Sequence, residues 1–170
     1  MNKGGMFGKV VEFFDEITKS GKTFSRLDFG ILKTLMMVAA VDGEIAREEM
    51  DLFKNIAGSC HGYSDRTFDD LWSEALHSAG YLCLQSRFLG KDELVAEFVK
   101  EAESAFVEEV SLEVTKERER AFKCLDAMAK ADGEYSEIEK ACIDALARHV
   151  AEVRERAIAA RFSRAATMGK

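Results

Sequence analysis

Two stretches ninety residues apart read as copies of one another: "LKTLMMVAAVDGEIAREEMDLFKNIA" at 32–57 lies over "FKCLDAMAKADGEYSEIEKACIDALA" at 122–147. Lys33 falls on Lys123, Leu35 on Leu125, Ala39 on Ala129, Glu49 on Glu139 and Ala57 on Ala147, and the centre of each copy is the same triplet, Asp42-Gly43-Glu44 and Asp132-Gly133-Glu134. Agreement of this length implies two copies of one helix-turn-helix unit. Two copies are too few for a solenoid. The pattern predicts that they pack against each other about a pseudo-two-fold, with residues 58–114 inserted between them as connecting helices.

Helix is the expectation for the rest of the chain as well. There is no proline in 170 residues, and proline is the residue least tolerated inside helices. Phe7, Val10, Val11, Phe14 and Ile17 recur at helical spacing and predict an amphipathic N-terminal helix at about 6–20. A second helix begins near Ser25, and its "LDFGILKTLMMVAAV" is apolar nearly all round, the pattern of a central helix covered on every side. It should stop at Asp42-Gly43, because this pair favours a turn. Further stripes run through Met50, Phe53, Ile56 and Ala57, through Phe68, Leu71, Trp72, Ala75 and Leu76, through Leu94, Val95, Phe98, Ala102 and Phe106, and through Phe122, Leu125, Met128 and Ala129. The segment "GYLCLQSRFLG" reads equally as a short helix or an extended link. The last helix starts near Ser136 and continues into a basic tail at about 150–166.

The fold class expected is therefore all-α, a single domain over 1–170. No apolar run approaches the roughly 20 residues of a membrane span. Cys60, Cys83, Cys124 and Cys142 show no CxxC spacing, and no signal peptide is recognised, so free thiols in the cytoplasm are expected. A net charge of -7 speaks against general nucleic-acid binding, although the C-terminal tail is basic.

The repeated triplet resembles the second half of a calcium loop. Asp42, Gly43, Glu44, Ile45 and Glu49 fit positions 5, 6, 7, 8 and 12 of an EF-hand, but the first two ligand positions fall on Val38 and Ala40, and in the second copy on Met128 and Lys130. Neither loop is a competent EF-hand alone, since each offers only an Asp and two Glu where calcium takes six to eight oxygens. If the pseudo-two-fold brings the turns together, Asp42, Glu44, Glu49, Asp132, Glu134 and Glu139 form a candidate metal site of oxygen ligands only, suited to calcium or magnesium and not zinc. The residues also allow a second reading, in which Asp-Gly is a turn and Ser136-x-x-Glu139 is a capping box, imperfect in the first copy where Ala46 replaces Ser136. Acidic residues favour helix N-termini with or without a metal.

Other motifs carry little. His61 beside Cys60 has no signalled partners for a tetrahedral site, His77 and His149 read as helix-surface or capping residues, and the methionines read as core fillers. No nucleophile-base constellation, P-loop or dinucleotide fingerprint occurs, so neither catalysis, an organic cofactor nor a small-molecule substrate is expected.

A long apolar helix, an "AADGE"-like turn and an acidic helix start, repeated near the C-terminus after an amphipathic "MFGKVVEFFDEI", resembles the tellurite-resistance TerB domain, a family related to the N-terminal domain of the membrane co-chaperone DjlA. The resemblance is specific over 32–57 and 122–147; the middle shares only helical character, and the basic tail is longer than is usual in the family. It implies a bundle of about seven helices, no enzymatic activity, a divalent-cation site made by the acidic turns, and a protein partner in stress-response assemblies near the inner membrane surface. The alternative is a purely structural domain that docks a protein or a membrane surface and binds no metal. Partner and oligomeric state are not legible in the residues.

Overall fold

The computed structural model describes residues 23–60 and 66–168. The N-terminal helix expected at 6–20, and His61, lie outside the described residues. Helix dominates what is described. The helices are α1 (Arg26–Ala40), α2 (Arg47–Ser59), α3 (Phe68–Gln85), α4 (Lys91–Ala102), α5 (Glu108–Leu112), α6 (Thr115–Ala129) and α7 (Glu137–Met168). A π-helical turn, Glu103–Val107, joins α4 to α5 in one continuous rod, so the described chain forms six separate rods. Two short strands, β1 (Thr23–Phe24) and β2 (Arg66–Thr67), pair antiparallel with Thr23 opposite Thr67.

α1 is the axis of the molecule. Every residue from Asp28 to Ala40 is buried, which is why its sequence lacks a polar face. It packs most extensively against α3, then against α6 and the π-turn. Its start is capped by Ser25, whose Oγ accepts from the Asp28 amide at 3.0 Å. Buried charges on α1 are paired: Asp28 accepts from Arg120 Nη2 at 3.0 Å, and Lys33 lies 3.9 Å from Glu74. Its one glycine within the helix, Gly30, faces the π-turn so closely that a Cβ there would overlap the Ala105 carbonyl oxygen. The π-turn itself is marked by an i→i+5 bond, the Glu108 amide donating to the Glu103 carbonyl.

The ambiguous segment after Gly80 is helix as far as Gln85, then a tight turn in which the amides of Ser86, Phe88 and Leu89 bond back to Leu82 and Gln85. His77 is exposed as expected, but His149 is half-buried, its Nε2 2.6 Å from Glu103 Oε2 across the α7/π-turn contact. None of the four cysteines is in a disulfide. Among the described residues no helix is long and apolar enough to cross a membrane.

Candidate functional site

The two Asp-Gly-Glu turns have the same local geometry. Gly43 and Gly133 take φ of 97° and 86°, a left-handed conformation that side chains resist and glycine does not. Asp42 Oδ1 accepts the Glu44 amide at 3.0 Å, and Asp132 Oδ1 accepts the Glu134 amide at 2.9 Å. Each aspartate thus folds its own turn. At the following helix start, Glu49 Oε2 accepts from the Ala46 amide at 2.6 Å and Glu139 Oε2 accepts from the Ser136 amide at 3.0 Å. Only the second copy closes the reciprocal bond, the Glu139 amide donating to Ser136 Oγ at 3.2 Å. Ala46 has no side-chain acceptor, so the first box is half made.

The fold brings the turns together. A cavity of about 620 Å³ is lined by Asp42, Gly43, Glu44, Ile45, Ala46 and Glu49 of the first turn, by Asp132 and Glu134 of the second, and by Met36, Met50, Leu76 and Cys83. That volume lies in the range of about 300–1,000 Å³ usual for ligand sites. Five of the six carboxylates singled out by the repeat therefore share one cavity. Glu139 does not line it, yet it is only 3% exposed and acts electrostatically on Glu49.

Burial and mutual repulsion set the protonation of this cluster. Glu49, 4% exposed, is pushed up to about 8 by desolvation, opposed by its bond from Ala46 and reinforced by the charges of Glu139, Asp42 and Asp132. Desolvation also raises Asp42, with Asp132 and Glu44 adding repulsion. Glu139 is raised in the same way, by desolvation first and then by Asp42 and Asp132 against the lowering bonds from Ser136. Each turn feels the charge of the other.

The arrangement can take up positive charge, as protons or as a cation. Val38, Ala40 and Met128 are fully or almost fully buried in the core, so the first ligand positions of an EF-hand are absent in space as well as in sequence. Among the described residues, no three or more His, Cys, Asp or Glu side chains stand close enough, as placed, to enclose an ion. Sequence reasoning missed the apolar floor of Met36, Ile45, Met50 and Leu76, since residues of this type at helical spacing carry no signal beyond core. It also missed Cys83, whose Sγ donates to the Gly43 carbonyl at 3.4 Å from a helix with no counterpart in the repeat.

No curated protein and no solved structure matches the chain. The family model described as "Tellurite resistance protein TerB" matches residues 28–162, a span that contains both acidic turns, the connecting helices and most of α7. The chain belongs to the TerB tellurite-resistance family.

Proposed function

We propose that this chain is a non-enzymatic, cation-responsive TerB-like module in which the two Asp-Gly-Glu turns, related by a pseudo-two-fold, share a divalent ion. The observation that carries this reading is the pair Glu49 and Glu139, each nearly excluded from water, each raised first by that desolvation and further by the charges of Asp42 and Asp132. A hard divalent cation relieves that repulsion, and carboxylate oxygens favour calcium or magnesium over zinc. The module works in the cytoplasm, peripheral to the inner membrane, by presenting a cation-dependent surface to a protein partner. No organic cofactor enters it.

Thermal unfolding of chelator-treated protein tests the reading. Millimolar calcium or magnesium raises the melting temperature, with stabilisation growing as RT ln(1 + [L]/Kd), about 2.7 kcal/mol at a hundredfold excess over Kd. The double substitution Asp42→Asn with Glu49→Gln blunts the rise without loss of helix. A second reading is favoured by the hydrogen bonds: both aspartates already bond within their turns and both glutamates already cap helices. On that reading the turns are structural. A melting curve unmoved by either ion decides for it.

A further inference from the structure

The two ends of α7 differ in charge and in surroundings. Its first turn adjoins the acidic cavity, whereas from Ile158 to Met168 every residue is exposed. This end carries exposed apolar side chains: Ile158, at the edge of a groove shared with Phe122, is 41% exposed, Phe162 73% and Met168 88%. Between Arg148 and Met168 stand five arginines against two glutamates, on a chain whose net charge is -7. The basic, aromatic end and the acidic, apolar-floored cavity are complementary in charge and in polarity.

They cannot meet within one molecule. At ~1.5 Å per residue, Phe162 lies about 37 Å along a single helix from Glu137. We propose that the exposed end of α7 docks into the acid-rimmed cavity between the Asp-Gly-Glu turns of a second copy of this chain, joining copies head to tail. Phe162 enters over Met36, Ile45, Met50 and Leu76, while Arg161 and Arg164 face Asp42, Glu44, Asp132 and Glu134. A shoulder for the contact already exists. Leu84 and Phe88 are 52% and 75% exposed, and the turn between them lies against the Asp42-Gly43 turn, Ser86 Oγ standing 3.1 Å from the Cβ position of Gly43. Two such tails pairing with each other would instead oppose arginine to arginine. A head-to-tail interface leaves a free cavity at one end and a free tail at the other, so association continues past the dimer into rings or open chains.

The proposal uses the cavity of the preceding reading but needs no ion in it, so sedimentation velocity of the full chain is run in chelator. Species larger than a dimer are expected to grow with protein concentration and to dissociate as salt is raised. The exposed-residue variants Arg161→Glu with Arg164→Glu (tail) and Glu44→Lys with Glu134→Lys (cavity) each weaken association about tenfold or more. Mixed together, they keep the native contact, the tail of the cavity variant in the cavity of the tail variant, and they also set the new tail glutamates against the new cavity lysines, so the mixture associates more strongly than either variant alone. Phe162→Ser weakens association without changing net charge. Calcium or magnesium competes with the tail if the cation reading holds, and acts only as added ionic strength if it fails. A monomer at every concentration, or a mixture no more associated than its parts, overturns the proposal. So does a monomer whose tail binds anionic phosphatidylglycerol vesicles and loses that binding with Arg161→Glu and Arg164→Glu, since the tail would then serve a lipid surface.

Discussion

Glu49 shows how one side chain ties the turn to solution conditions. In the folded chain it titrates near 8, against an ordinary value of 4.5, so between those limits the folded state holds a proton that the unfolded state has released. Stability from this group is complete below 4.5 and is lost as pH rises through about 8. Melting temperature should therefore fall between pH 5 and 8 in chelator, and Glu49→Gln should flatten that slope and melt higher than the parent at pH 8. A variant that keeps the full slope would locate the titration elsewhere. Gly30 is a second residue whose role is spatial. In an exposed helix, alanine would be favoured over glycine by about 1 kcal/mol, but here the added methyl meets the Ala105 backbone carbonyl. Backbone on both sides cannot step aside, so Gly30→Ala should destabilise by about 1–3 kcal/mol in denaturant unfolding.

At the scale of elements, the two turn-helix junctions are the same construction finished differently. Ser136 and Glu139 bond reciprocally, while Ala46 leaves Glu49 with a half box. Ser136→Ala should thus cost about 1 kcal/mol in urea unfolding. The reciprocal change, Ala46→Ser, should stabilise by a similar amount; no gain would mean that the buried Glu49 already holds that end of α2 as firmly as a cap could. The helices themselves were legible in the residues. The run after Ser25, apolar nearly all round, announced a helix covered on every side, and α1 is buried from Asp28 to Ala40. The π-turn was not legible, because Glu103–Val107 keeps an ordinary amphipathic pattern and its fifth-residue bond belongs with the close approach of Ala105 to Gly30, a contact between distant segments. His149 escaped for the same reason: its partner Glu103 sits on another element.

At the scale of the molecule, α7 runs beyond the packed body. Residues 158–168 are exposed throughout, so ending the chain at Ala157 should leave unfolding free energy within about 0.5 kcal/mol of the full chain, while removing self-association. A larger loss would place a stabilising contact on that tail. What the sequence determined by itself was local: the helices that dominate the described residues, the same turn between helices in each copy of the repeat, glycine at each left-handed turn position, and acidic residues at helix starts. These follow from backbone preference and capping, which act within a few residues of one another and are written in order along the chain. Only the tertiary structure decided that Asp42, Glu44 and Glu49 share a cavity with Asp132 and Glu134, that Glu139 stands outside its lining yet still repels Glu49, and that Met36, Ile45, Met50 and Leu76 form its floor. The physical reason is distance. Burial and Coulomb repulsion depend on separation in space, and two acidic turns ninety residues apart acquire a common electrostatic fate only when the helices between them have packed.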